Sequence, residues 1–484
     1  MGPATIPKAA TVADETPALL TLAEAAAAIR ARTLSSVEAT GACLARLKRL
    51  GGADGLDCVA GLDEDAALAA ARAADAVLAR GTPVGPLHGV PLAHKDMFFR
   101  QGRVSACGSR ILAATPATTT ATVLEKLDRA GALDIARLAM VEFALGLTGH
   151  NPIAGTPRNP WNTAHITGGS SSGPAAAVAA RLAFGAMGSD TGGSIRFPSA
   201  CCGVVGLKPT YGRVSRAGAM PLSASLDCMG PIARTVGDCA LLFSVVAGFD
   251  ARDPASSRRA AADPLPSLDV GIKGLRVGVP KSYFYDPLSP EMARLVRESL
   301  EVLRRAGAII VEVPIPDIAA TNPLTTLVTA AEGAAVNAHW LKTRAGDFGP
   351  QTLGRLVLGL LAPAQAVTDA LCWRKAIARE FCESVFAACD VLHTPVMTRT
   401  QPTIAESDIG ANPGFSKAMV AMGHCTRPFN FLGLPAISVP CGFGQAGLPA
   451  AFQLAARPFA EAVLLRAARA YERETNWTGR CPSG

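Results

Sequence analysis

Two glycine-flanked serine clusters lie close together in the chain: "GGSSSG", holding Ser170, Ser171 and Ser172, and "DTGGS", ending in Ser194. A serine hydroxyl attacks a carbonyl only if a neighbouring group takes its proton. No histidine stands between the clusters, and the one acid there is Asp190. Gly192 and Gly193 let the backbone turn tightly and expose successive N–H groups before Ser194, the arrangement that holds an oxyanion. Ser194 is therefore the expected nucleophile, with the amides of Thr191, Gly192, Gly193 and Ser194 as the expected oxyanion hole. Its base must be a lysine that can be neutral, or a water-linked group. The lysine in an apolar, strand-like context upstream is Lys95, in "GVPLAHKDMF". A free lysine has a pKa of about 10.4, and burial can lower it by about 3 to 5 units. Val90, Pro91, Leu92, Met97 and Phe98 supply apolar surroundings; the alternative is that Lys95 pairs with Asp96 or points to solvent.

Other chemistries fit parts of the pattern. Gly169 to Gly173 also matches G-x-S-x-G, a nucleophile elbow with Ser171 in the centre, which would need a downstream histidine from among His339, His393 and His424. A glycine-serine cluster opening a helix can hold a phosphate, but no G-K-[ST] completes a P-loop. His88, His94 and His150 lie near the motifs without H-x-x-x-H or H-x-H spacing, so no metal is expected.

The elements that must position these residues follow from periodicity. Helices are predicted over 22–32, 36–50 and 64–80, with Ser36 as an N-cap, so the first eighty residues read as helical. Helix and strand then alternate: helix 122–130, strand 132–138, helix 174–181, strand 183–189. That alternation predicts an α/β sheet. "ARDPASSRRAAADPLPS" reads as a surface connection, and "LRVGVP", 290–306 and "AIIVEVP" as a βαβ-like unit joining the same sheet. Residues 320–390 read as helical. The uncharged run 428–456 has the length of a membrane span, but its prolines and glycines make it core, with "AISVPCGF" a buried strand.

Composition limits the class. In 484 residues, 49% are hydrophobic and 18% charged, enough to bury a large core. The net charge of +7 is scattered, so no nucleic-acid partner is expected. Thirteen cysteines without paired spacing predict reduced thiols. With no signal peptide read at the N-terminus, a cytoplasmic protein is expected, with no membrane partner.

The stretches "GVPLAHKD", "GGSSSG", "GSDTGGSIRFPSACCGVVGLKPTYGRVSR" and "SLDCMGPIARTVGDCALL" resemble the amidase signature family of serine hydrolases, as do "GTPRNPWN", "NFLGLPAISVPCG" and "YERETNW". The resemblance spans most of the chain. It implies one amidase signature domain over 1–484: a helical segment 1–80, a catalytic core 85–250 and a variable helical substrate region 320–400. The implied fold class is α/β, with a large mixed central sheet covered by helices on both faces. It implies a Ser-Ser-Lys triad of Lys95, Ser170 and Ser194, with Ser170 after a cis peptide; spacing alone leaves Ser170, Ser171 and Ser172 open. Ser171, Asp190 and Arg196 are then structural supports, and no cofactor is needed. Where many members carry Lys-Thr-Asn before Glu-Phe, this chain has "ARLAMVEF", with Leu138 and Ala139 in place of polar residues.

The implied reaction is hydrolysis of a small amide through an acyl-enzyme, by a monomer or homodimer. Met97, Phe98, Leu147, Gly149 and Ile153 are the expected substrate-binding residues. Their apolar character predicts a hydrophobic or aryl amide, or a carbamate. The alternative within the family is the glutaminase subunit of a tRNA-dependent amidotransferase, which "AGFDARDPASS" resembles. "AAEGAAVNAHWLKTRAGDFGP" departs from that subunit's usual run, and only Arg355 could hold a glutamine carboxylate. A binding module that has lost catalysis is a further class, weakened by the presence of all three triad residues.

Overall fold

The computed structural model describes residues 14–482. Thirteen strands alternate with helices: β1 (Val59–Leu62), β2 (Pro91–Lys95), β3 (Leu133–Leu138), β4 (Arg158–Asn159), β5 (Asn162–Ile166), β6 (Gly185–Asp190), β7 (Val205–Lys208), β8 (Cys228–Ala233), β9 (Arg276–Pro280), β10 (Ile309–Val313), β11 (Val391–Pro395), β12 (Ala436–Phe443) and β13 (Pro449–Ala456). The large sheet is mixed and eight-stranded, in the order β10-β9-β11-β13-β12-β7-β8-β6. A separate three-stranded sheet, β1-β3-β2, carries Lys95 at the end of β2. The two sheets are tied together where the His94 Nδ1 accepts from the Met187 amide at 3.2 Å.

Every residue of β6, β8 and β13 is buried, which requires cover on both faces of the large sheet. Helices Arg196–Cys202, Pro290–Arg305 and Glu461–Arg473 all pack on β12 and β13. In Pro290–Arg305 the Ser289 hydroxyl caps the Met292 amide, and Met292, Leu295, Val296, Ser299, Leu300 and Leu303 form the inward stripe. This helix joins β9 to β10, which pair in parallel, so the predicted βαβ unit belongs to the large sheet.

Several expectations are corrected. The N-terminal segment is not wholly helical, because β1 pairs with β3. The helix Ser36–Leu50 is capped by Ser35, not Ser36, through a capping box with Glu38; Ser36 itself is buried. Helix Ser172–Ala179 starts earlier than predicted, and it is buried at every position because small side chains allow close approach. A Cβ on Gly173 would come within 2.4 Å of the Ala139 carbonyl oxygen. At Leu138 and Ala139 the backbones carry the hydrogen bonds, from the Asp96 amide to the Leu138 oxygen and from the Ala139 amide to the Cys58 oxygen. All thirteen cysteines are free thiols. Among the described residues no single helix is long and apolar enough to cross a membrane.

Phe452 on β13 is 0% exposed, with its ring 4.7 Å from that of His393 and 4.7 Å from that of Tyr471. Phe452→Ala is expected to cost about 3 to 5 kcal/mol of unfolding free energy, read by denaturant titration.

Candidate active site

The end of β2, the loop before helix Ser172–Ala179 and the end of β6 converge. Lys95 is fully buried, and its Nζ lies 2.8 Å from Ser170 Oγ and 2.8 Å from Ser189 Oγ. Of the three clustered serines only Ser170 touches Lys95; its peptide bond to Gly169 is cis. Ser171 Oγ donates to the Ser189 carbonyl at 3.3 Å and accepts from the Ser189 amide at 3.4 Å. Ser189 is not among the site residues expected from the sequence, although it stands directly before Asp190 in the second motif. Burial pushes the Lys95 ammonium down to about 7, against the opposing pull of Asp227 and Asp190.

Ser194 follows β6 and faces a cavity of about 310 Å³. Its backbone oxygen accepts from the Ser171 amide at 3.2 Å, which brings the nucleophile candidate alongside the Ser170 loop; Ser194 Oγ itself makes no hydrogen bond among the described residues. The amides of Thr191, Gly192 and Ser194 have no acceptor among the described residues. The Gly193 amide, expected with them, instead donates to Asp190 Oδ1 at 2.8 Å. Gly193 has φ +125°, and a Cβ there would meet Thr426 Oγ1 at 2.3 Å, so only glycine fits this turn.

Asp190 and Arg196 form a fully buried pair, with Nε to Oδ2 at 3.0 Å. Arg196 also donates to Gln453 Oε1, Asn430 Oδ1 and the Thr426 carbonyl, while Asn430 Nδ2 donates to Asp190 Oδ1 at 2.7 Å. Burial alone would raise the Asp190 pKa, but the Arg196 charge and hydrogen bonds hold the carboxyl at about 2. Thr191 is held separately, its Oγ1 donating to Asp227 Oδ1 at 2.6 Å.

The cavity wall differs from the expected one. Leu147 lines it, with Leu145, Leu222, Thr325, Thr329 and Met419. Met97, Phe98, Gly149 and Ile153 do not. Met97 and Phe98 are buried in the core, Gly149 lies under the serine loop against Thr167 and Gly168, and Ile153 abuts Gly349. Nor is the wall purely apolar, since Arg355 and Arg427 line it. Arg355 donates to the Leu145 carbonyl and, from Nη2, to Met419 Sδ at 2.7 Å. Among the described residues neither arginine pairs with a carboxylate. Burial lowers the pKa of each to about 10, so both stay charged at neutral pH.

The elbow alternative lacks a base. Ser171 is sealed against Ser189, and both nitrogens of His393 are engaged, by Tyr285 at 2.6 Å and Ser299 at 2.8 Å. His424 Nε2 lies 2.9 Å from the Tyr283 carbonyl, and His339 is exposed.

The fold and this arrangement define an enzyme of carbon–nitrogen bonds. A family model described as Amidase matches residues 38–465, and the chain belongs to this family, the amidase signature enzymes. It is 41% identical to a subunit of the glutamyl-tRNA(Gln) amidotransferase of Moorella thermoacetica, over 96% of this chain and 98% of that relative. Among solved structures it is similar to a chain of a vestigial protein complex bearing on the origins of an s-triazine catabolic enzyme. There the TM-score is 0.88 and the identity 32%, covering 96% of this chain and 100% of that one. It is also similar to the peptide amidase of Stenotrophomonas maltophilia, with TM-score 0.83 and 31% identity over 94% of this chain and 96% of that one.

Removing the Asp190 carboxylate leaves Arg196 buried without its counter-charge. Asp190→Ala is expected to lose about 3 to 5 kcal/mol of stability, measured by chemical denaturation. With Lys95 as the proposed base, which works only when neutral, activity is expected to rise with pH through an apparent pKa near 7. A negative charge nearby favours the ammonium, so Asp227→Asn is expected to move this limb to lower pH; a limb that stays in place or moves upward contradicts the assignment.

Proposed function

We propose that this chain is an amidohydrolase of small amides that carry a carboxylate, working through Lys95, Ser170 and Ser194. The observation that carries this reading is the pair of uncompensated guanidinium groups, Arg355 and Arg427, in the cavity that Ser194 faces. A carboxylate buried there gains charge-assisted hydrogen bonds, whereas in an apolar pocket it would be strongly disfavoured. The arginines therefore argue against the hydrophobic or aryl amide, and against the carbamate, that the apolar residues of the sequence favour.

In the proposed mechanism Ser194 Oγ attacks the amide carbonyl while its proton passes by way of Ser170 to the neutral Lys95. The carbonyl oxygen takes the negative charge, and the free amides of Thr191, Gly192 and Ser194 donate to it. One such donor is worth on the order of 3 kcal/mol. Collapse breaks the C–N bond, and the proton held by Lys95 returns through Ser170 to the leaving nitrogen. Water then attacks the acyl-enzyme ester, giving up a proton along the same path, and the acid leaves as Ser194 is restored.

A second reading, the glutaminase subunit of an amidotransferase with protein partners, is favoured by the 41% identity over 96% of the chain. Arg355 serves that reading too, as the group for a glutamine carboxylate.

The test is ammonia release by the purified chain from glutaramate and from its neutral analogue pentanamide, with a methyl in place of the carboxylate, and amine release from 4-nitroacetanilide and an N-aryl carbamate. Glutaramate is expected to exceed pentanamide at least about tenfold in kcat/KM, and Ser194→Ala is expected to lose at least about a thousandfold in kcat. A preference for the anilide or the carbamate overturns the acid-amide reading, and a covalent fluorophosphonate adduct on another serine overturns the nucleophile.

A further inference from the structure

Arg427 opens helix Arg427–Phe431, outside every stretch whose chemistry is legible from the sequence. Its stem lies on the oxyanion turn: a Cβ built on Gly192 would sit 3.5 Å from Arg427 Cγ. Its guanidinium crosses the face of Gly423, where a Cβ would come within 2.5 Å of Cζ and 2.6 Å of Nε. Glycine at 423 is thus what gives the guanidinium its place. Nη1 donates to the Val420 carbonyl at 2.6 Å, while Nε and Nη2 have no acceptor among the described residues. Those free donors belong to a residue of the cavity wall, and no aspartate or glutamate lines that wall among the described residues.

We infer that Arg427 is a specificity residue that admits monoamides of dicarboxylic acids and turns away amides carrying an ammonium beside the carboxylate. The inference rests on the acid-amide reading of the same cavity and narrows it. A carboxylate can accept from both Arg355 and Arg427. An ammonium on the adjacent carbon must then lie close to a guanidinium, with no carboxylate on the wall to offset it. Like charges brought close inside a cavity repel more strongly than in bulk water. An amino-acid amide such as glutamine carries that ammonium; the corresponding acid amide does not.

The experiment compares kcat/KM for glutaramate, 2-methylglutaramate and L-glutamine with the purified chain, alongside pentanamide. 2-Methylglutaramate carries a methyl where glutamine has its ammonium, so the pair separates charge from size without any mutation. Both acid amides are expected to exceed glutamine at least about tenfold. In Arg427→Gln the ratio of 2-methylglutaramate to glutamine is expected to fall to within about twofold, and in Arg427→Lys to survive in part. Glutamine matching or exceeding 2-methylglutaramate overturns the inference, as does a ratio unchanged in Arg427→Gln. If glutamine wins while glutaramate still exceeds pentanamide, acid recognition stands and only the exclusion of the ammonium falls. If pentanamide equals glutaramate, acid recognition fails and the inference with it.

Discussion

The buried pair of Asp190 and Arg196 is the interaction on which the site depends. Taking two charges out of water is costly, and the cost is offset only when every remaining donor and acceptor is used. Here the carboxylate accepts from the Gly193, Ile195 and Arg196 amides and from Asn430, while the guanidinium also reaches Gln453 on β13, Asn430 and Thr426. One charge pair thus joins the turn bearing Ser194 to the central sheet and to the helix Arg427–Phe431. Asp190 ends β6, and Ser189 before it holds Lys95, so the Lys95 contact and the turn bearing Ser194 are anchored at one strand end.

Burial has opposite uses for the cations of the site. Lys95 carries a localised charge, and burial brings its pKa down to about 7, the value the proposed base needs. The guanidinium groups of Arg355 and Arg427 delocalise theirs and remain cations with pKa values of about 10. One kind of group suits proton transfer, the other a fixed field. Asp227 links the two regions: it holds Thr191 Oγ1 while its charge acts on Lys95.

What could be read from the sequence was local. Lys95, Ser170 and Ser194 stand in contiguous motifs whose glycines and serines have a chemical reason to be adjacent, and β12 was legible because Ala436–Phe443 is uncharged and mostly apolar, with only Ser438 polar. The sequence does not show Ser189 acting on Lys95, because that contact joins β6 to β2, strands of different sheets. Arg427 was hidden for a related reason: its neighbours at the cavity come from 144–147, 191–194 and 325–330, far apart in the chain. Met97 and Phe98 misled because apolar residues beside a buried lysine serve equally to line a pocket or to dry out the lysine, and here they are core. The strand β1 is only four residues long and lies between two helices, with too little alternation to announce itself.

Leu145, Leu147 and Leu222 of the cavity wall come from the same part of the chain as Ser194, but much of the rest of the wall does not. Lys95, Ser170, Ser189 and Ser194 sit at β2, β6 and the loops beside them, whereas Thr325, Thr329 and Arg355 come from helices inserted between β10 and β11, and Met419 and Arg427 from the segment between β11 and β12. In evolutionary terms this separates two kinds of heritable change. Substitutions in the inserted segments change the lining around Ser194 without touching Lys95, Ser170, Ser189 or the buried pair of Asp190 and Arg196. Relatives as differently named as a peptide amidase, a chain tied to s-triazine catabolism and one component of an amidotransferase share this scaffold at TM-scores or identities that leave the fold unchanged.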